Sequence, residues 1–251
     1  MISVCVATHN GAAYIKNQID SILCQLNDGD EIIISDDGST DATIPIIKSI
    51  RDIRIKILCF KQPSKSSHTH EYVCRNFQNA LMHAEGDYIF LSDQDDIWMS
   101  DKVEVCMNAL REHDLVLHDF MHIDENENIT QDLHYDGTFR RNNYFLRAGK
   151  HFGCAMAFKR KVLDYALPFP SHLLLHDYWI GILAETLGSF YYEKRPLIRY
   201  RIHQENTSGN HNPLWFMVYY RVVTFIWVLC RVIRYRLDLH HYLDNNECNN
   251  R

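Results

Sequence analysis

The eight cysteines of this chain, at positions 5, 24, 59, 74, 106, 154, 230 and 248, never fall into a Cys-x-x-Cys pair. That absence excludes a zinc ribbon and a compact disulfide framework, and scattered thiols of this kind fit a reducing, cytoplasmic compartment. No Gly-x-Gly-x-x-Gly follows the first candidate strand and no Gly-Lys-Ser/Thr loop occurs, so neither a dinucleotide fingerprint nor a P-loop is indicated. The N-terminus has no basic segment leading into an apolar stretch and a cleavage site, so no signal peptide is expected. A run of roughly 20 apolar residues, which a spanning helix needs, is also missing. Positive charge is in deficit: a formal net charge of -6 argues against general nucleic-acid binding.

What the chain has is an ordinary globular composition, 46% hydrophobic and 23% charged over 251 residues. That is enough for one large α/β domain or two small ones. Acids gather between Asp28 and Asp136, whereas bases concentrate after Lys159. The asymmetry predicts a front half that holds a metal and a back half that meets anions. Internal repeats and low-complexity segments are absent.

Apolar runs closed by turn residues alternate with helical periodicity along the front half. Ile2 to Ala7 reads as a buried strand ending in Thr8-His9-Asn10-Gly11, and Ala12 to Leu26 as a helix. Glu31 to Ser35 is a second strand, ending in Asp36-Asp37-Gly38-Ser39-Thr40-Asp41. There Ser39 or Thr40 suits a helix cap and Asp41 the positive helix end. Arg54 to Phe60, His70 to Ala84 and Tyr88 to Leu91 continue as strand, helix and strand. This order predicts a doubly wound, mostly parallel sheet, whose ligands bind beyond the carboxyl ends of the strands. Later segments read as a helix over Lys102 to His113, a short strand at Leu115 to Leu117 and a polar loop from Asp124 to Arg141. A strand around Cys154 to Phe158 and a helix opened by Leu173 to Leu175 follow, then two strands, Phe190 to Tyr192 and Leu197 to His203.

The fourth strand ends in Ser92-Asp93-Gln94-Asp95-Asp96, three carboxylates within four residues. Charges this close repel unless a cation lies among them, and hard oxygen donors suit Mg²⁺ or Mn²⁺. Read alone, the cluster is equally a solvated acidic turn. Residues 213–237 are apolar and aromatic, carry Arg221, Arg231, Arg234 and Arg236, and hold no acid before Asp238. The longest arginine-free run, Val222 to Cys230, is too short to span a bilayer. Two readings remain: an interfacial helix whose arginines meet anionic lipid, or a helix packed on the protein's own core.

Ser3 to Asn10, Ser35 to Asp41 and Asp93-Gln94-Asp95-Asp96, taken in order, resemble the signature of glycosyltransferase family 2 across about residues 1 to 210. The Ser-Asp-Gln-Asp-Asp-Ile-Trp form further resembles its rhamnosyltransferase-like subset. The resemblance implies an inverting enzyme of the GT-A fold: a Rossmann-like, mostly parallel sheet flanked by helices, here with a C-terminal amphipathic helical extension. It implies a UDP- or dTDP-sugar donor and a glycan or lipid-linked saccharide acceptor at the cytoplasmic face of a membrane. It divides residues 1–210 into a nucleotide-binding half (1–98) and an acceptor-binding half (99–210), and leaves 211–251 as a helical extension, for which membrane association is one of the two readings above. Thr8, His9, Asn10, Asp37 and Asp93 match nucleotide-binding positions, with Asp37 accepting from the imide N–H of the pyrimidine. Asp95, Asp93 and His203 match positions about the metal, Mn²⁺ or Mg²⁺. His176-Asp177 resembles the pair whose aspartate is the catalytic base. Arg201, Asp96, Trp98, His176 and Trp179 are further candidates for diphosphate or acceptor contacts, although core packing suits either tryptophan as well, and Asp37 also suits a turn before a helix. Ala7 and Ser35 depart from the family pattern without removing a charged group. Two alternatives differ in chemistry. A sugar-phosphate nucleotidylyltransferase needs a basic, glycine-rich loop after the first strand. A silent nucleotide-sugar-binding scaffold is expected to have lost Asp93, Asp95 or Asp177.

Overall fold

A computed structural model describes residues 1–66, 68–135, 151–203 and 214–249. The front half folds as its periodicity predicts. Strands β1 (Ile2–Thr8), β2 (Glu31–Asp36), β3 (Ile55–Cys59) and β4 (Tyr88–Ser92) pair in parallel in the order β3-β2-β1-β4. Helices α1 (Ile15–Leu23), α2 (Thr43–Ile50) and α3 (Thr69–His83) make the crossovers. β1, β2 and β4 are buried over almost their whole length, so their sequences read as continuous apolar runs rather than alternating ones. Register aligns their carboxyl ends: Thr8 lies opposite Asp36, and Val6 opposite Ser92. The three polar strand ends therefore open on one edge of the sheet.

Beyond β4 the sheet changes direction. β5 (Ile97–Trp98) follows the acidic loop directly, α4 spans Lys102–Ala109, and β6 (Leu115–Ile123) leads to β7 (Ile129–Gln131). A 3₁₀ turn at Gly153–Ala155 leads into β8 (Met156–Lys159), which pairs antiparallel to both β4 and β6. α5 (Lys161–Ala166), α6 (His176–Leu187) and β9 (Phe190–Arg201) follow. β9 runs parallel to β6 and antiparallel to β5, pairing Ile97 with Arg199. The doubly wound expectation thus holds for the first four strands, and an antiparallel return replaces it afterwards.

Several boundaries move for identifiable reasons. β6 runs six residues past the expected Leu117, because its polar residues are satisfied internally. The Asp119 carboxylate accepts from the backbone N–H groups of Phe120, His134 and Tyr135 and from the Tyr192 hydroxyl. The two expected strands at 190–203 are one. Pro196 sits where the β6–β9 register shifts, and such a bulge is where a strand tolerates proline. Leu173 to Leu175 precede α6 instead of opening it. Neither Ser39 nor Thr40 caps α2: the N-cap is Ala42, and Asp41 just before it accepts from the Thr43 N–H. Part of the expected loop to Arg141, together with Pro213, lies outside the described residues.

The last helix, α7, spans Leu214–Asn249 and packs on α5 and α6. Tyr220, Thr224, Val228 and Val232 are buried on that side. Arg231 donates to the carbonyls of Tyr165, Leu167 and Pro168, so this arginine is turned to the protein, as the core-packed reading of the helix expects. Among the described residues no helix is long and apolar enough to cross a membrane.

Candidate active site

The first wall of the site is the turn after β1. Asn10 adopts a left-handed conformation (φ 51°), which asparagine tolerates better than most residues. Its side-chain oxygen accepts from Thr40 N–H at 2.8 Å, and its own N–H donates to Ser39 Oγ at 2.9 Å, tying the β1 turn to the β2 turn. The two acids at the end of β2 divide: Asp36 is buried and bonded to Thr8 Oγ1 and Ser39, whereas Asp37 is half-buried and lines the cavity. Asp37 Oδ2 accepts from Gln62 Nε2 at 2.7 Å, and His9 Nδ1 donates to the Asp37 carbonyl at 2.7 Å. Thr8 itself is buried, and its hydroxyl serves Asp36.

The second wall is the loop between β4 and β5, and its carboxylates point in different directions. Asp95 Oδ2 lies 2.8 Å from His203 Nε2, which the end of β9 delivers. Asp93 is half-buried; burial, then the charges of Asp95 and Asp177, push its carboxyl up to about 7. Asp96 turns inward and is 1% exposed, accepting from the Arg201 N–H. Burial, then Asp95 and Asp93, holds its carboxyl well above the usual range. An acceptor-facing role for Asp96 is therefore replaced by an internal one.

Arg201 likewise departs from expectation. Its side chain is 2% exposed and donates to the carbonyls of Asp95, Asp124 and Glu125 and to Glu127 Oε1. These bonds commit its guanidinium to the acidic loop and to the turn after β6, an internal role in place of the expected diphosphate contact. Trp98 and Trp179 are core residues. Trp98 packs beside Phe90 and under Lys102 Nζ, and Trp179 is fully buried with its Nε1 donating to Ala166 O. Neither presents a face to a sugar.

His176 and Asp177 open α6 on the other side of the acidic loop. His176 is buried, stacks on Phe77 with centroids 4.2 Å apart, and lies 3.7 Å from Cys74 Sγ through Nδ1. Burial pulls its imidazole down to about 3, so it is neutral, and it offers no contact to an acceptor. Burial pushes the Asp177 carboxyl up to about 6, against the opposing Tyr178 N–H and the charge of His151. A carboxylate poised there is ionised at neutral pH yet basic enough to take a proton.

These walls enclose a cavity of about 920 Å³ lined by His9, Asn10, Asp37, Asp93, Asp95 and His203 among others. Its size suits a nucleotide-sized ligand. Asp177 is not among the lining residues, but its charge reaches Asp93. Sequence reasoning missed Gln94, Gln62, Lys65 and Lys102. Gln94 receives the His9 N–H at 2.9 Å and returns a bond to the His9 carbonyl, clamping the two walls together. Residue 11 must be small for this: a Cβ there would lie 2.4 Å from Gln94 Oε1. Lys65 brings a cation to the cavity mouth, a role undetected because it lies in a polar loop. Lys102 is buried, donates to Cys154 O at 2.7 Å, and is drawn down to about 8 by burial. Its signal was available, because Lys102 shares the buried face of α4 with Val105 and Cys106.

Among the described residues one grouping of donors lies close enough to share a cation, and a second set of donors faces the cavity. Asp93, Asp96 and Cys154 offer ligand atoms within 4.8 Å of one another, but Asp96 and Cys154 are sealed off and a protonated thiol is a poor partner for Mn²⁺ or Mg²⁺. Asp93, Asp95 and His203 instead face the cavity. The raised Asp93 carboxyl is what an adjacent cation would return to its ionised form.

The sequence model of glycosyl transferase family 2 matches residues 3–166. The chain belongs to this family. It is a glycosyltransferase of the GT-A fold. The enzyme is 27% identical over 228 residues to the dTDP-rhamnosyl transferase RfbG of Shigella flexneri, covering 81% of this chain and 73% of that protein. It is 28% identical over 218 residues to the UDP-Glc:alpha-D-GlcNAc-diphosphoundecaprenol beta-1,3-glucosyltransferase WfaP of Escherichia coli, with coverages of 84% and 80%. Among solved structures, S. aureus TarS 1-349 in complex with UDP-GlcNAc matches with a TM-score of 0.62 at 16% identity, over 89% of this chain and 66% of that one. Glucosyl-3-phosphoglycerate synthase of Mycobacterium tuberculosis, solved with Mn²⁺, UDP and phosphoglyceric acid, matches with a TM-score of 0.52 at 20% identity, over 92% and 78%.

Proposed function

We propose that this glycosyltransferase moves a sugar, with inversion, from a UDP- or dTDP-linked donor to a hydroxyl of a cell-surface glycan or lipid-linked saccharide. The observation that carries the reading is the convergence of Asp37, Asp93, Asp95 and His203 on one cavity of about 920 Å³. Asp37 accepts from the imide N–H of the pyrimidine, which cytosine lacks, while His9 and Asn10 flank the base. Asp95, Asp93 and His203 are the residues that would hold Mn²⁺ or Mg²⁺. A divalent cation bound there would offset the charge growing on the departing diphosphate. Asp177 takes the proton of the acceptor hydroxyl as that oxygen bonds to the anomeric carbon and the bond to the diphosphate breaks. The relatives named for dTDP-rhamnose and for a diphosphoundecaprenol acceptor support a rhamnosyl or other hexosyl donor and a membrane-borne acceptor. Residues 1–98 serve the nucleotide, residues 99–210 the acceptor, and α7 rests peripherally on the cytoplasmic face of the membrane.

A panel of UDP-, dTDP- and GDP-sugars with Mn²⁺, scored for nucleoside diphosphate release, tests the reading. Turnover is expected with pyrimidine donors and is expected to vanish on chelation. Asp177→Asn should lower it by at least about 10²-fold while UDP binding, followed by calorimetry, persists. Turnover that survives both chelation and Asp177→Asn would refute the mechanism.

A further inference from the structure

α6 carries Asp177, Gly181 and Glu185 at four-residue steps, which puts them on one face of the helix. His151 lies across that face. Its Nε2 is 3.0 Å from Glu185 Oε1, and the two side chains are 1% and 5% exposed. The ring fits because residue 181 is glycine: a Cβ there would lie 2.3 Å from His151 Cδ2. The imidazole thus occupies the space of a missing side chain, with one carboxylate a turn ahead along the helix and another a turn behind.

We propose that His151 and Glu185 are a positioning pair for Asp177, holding it ionised and oriented for the acceptor hydroxyl. This rests on Asp177 being the base. The described groups acting on Asp177 come from several elements. Asp93 at the end of β4, Cys74 of α3 and Tyr135 beyond β7 all interact with it electrostatically. The Tyr178 and Gly153 N–H groups and the His151 charge favour its ionised form. Asp177's own backbone N–H adds to these, and the His151 charge and the Gly153 N–H both arrive on the single stretch 151–153. Glu185 in turn fixes the ring through its 3.0 Å contact with Nε2. A buried pair of this kind is costly to desolvate and adds little net stability, so its effect is felt at the neighbouring base.

The test uses the full chain with Glu185→Gln, which keeps size and shape, and with His151→Gln. Turnover of whichever UDP- or dTDP-sugar is active is followed from pH 5 to pH 8.5. In both variants the acid limb of the rate profile should move up by roughly one pH unit. In Glu185→Gln, kcat well above the limb should return to within about twofold of wild type, with KM for the donor unchanged. A purely structural loss would instead lower the rate equally at every pH. Unmoved acid limbs, or a uniform loss, would overturn the proposal. Carboxyl-carbon NMR of Asp177, identified by its absence in Asp177→Asn, reads the same coupling without substrate and should show its midpoint rising in both variants. Turnover surviving in Asp177→Asn would instead remove the base assignment, and the NMR titration would still decide the pairing.

Discussion

His176 stands next to the proposed base yet belongs to the core, and its neutrality has a measurable consequence. Its folded value of about 3 lies below the ordinary histidine value of about 6.5. The unfolded chain therefore binds a proton that the folded chain excludes, and stability falls as pH drops from about 6.5 toward 3. At pH 5 this amounts to about 2 kcal/mol, at roughly 1.4 kcal/mol per pH unit. His176→Phe, which retains stacking on Phe77, should lose several degrees less of melting temperature between pH 7.5 and pH 5 than wild type does. Turnover at pH 7.5 should stay within a few-fold. His118 is also buried and neutral, so part of the acid sensitivity persists in the variant. An equal acid-induced drop in both proteins would show that His176 is protonated in the fold.

At the scale of elements, β9 explains why the acidic loop has one shape. β9 pairs with β5, which starts right after the loop, and its last residue Arg201 reaches back to Asp95 and Asp96. Arg201→Ala leaves the carbonyls of Asp95, Asp124 and Glu125 without this donor and opens a void where its buried side chain sat. It should cost about 3 kcal/mol of stability, read by urea unfolding, with activity lost through misplacement of Asp95 and His203. A variant of wild-type stability and a raised donor KM would return Arg201 to the diphosphate. The parallel front half was legible in the sequence because fully buried strands write continuous apolar runs ending in turn residues. Short motifs at strand and helix ends also picked out Asp37, Asp93, Asp95 and His203, which line one cavity. Asp177 is not in its lining, and its role as base is a proposal. The direction of each side chain was not legible. Whether Asp96 or Asp95 faces the cavity depends on the β5–β9 pairing, a contact spanning about a hundred residues. Likewise Asp119 and His118 disguised β6, because polar residues satisfied by distant backbone look like loop. Gln94 and Gly11 were hidden for the same reason: their fit is between loops far apart in sequence.

Across the whole molecule, α7 presents two apolar faces and the fold covers one of them. Trp215, Val218, Val222, Ile226, Leu229, Ile233 and Leu237 recur at three- or four-residue steps along much of α7 and are 44% to 70% exposed. A stripe this long on a solvent-facing helix marks an interaction surface. Arg221, Arg234 and Arg236 lie along the same helix, and residues 214–237 contain no acid. α7 is also tied to the segment before the proposed base, since Leu174 N–H donates to the Tyr220 hydroxyl. A membrane lying against α7 would bring a lipid-linked acceptor toward Asp177. The protein should therefore co-sediment with phosphatidylglycerol vesicles at low salt and more weakly at high salt, each arginine near the surface contributing about 1 kcal/mol. Phosphatidylcholine vesicles should bind it less. Ile226→Glu with Leu229→Glu should release it at least about tenfold. Because both side chains are exposed, the melting temperature should hold. Vesicle binding untouched by the double substitution would place the contact elsewhere. A concentration-dependent dimer that the same substitutions dissolve would show that a second copy, not lipid, covers the stripe.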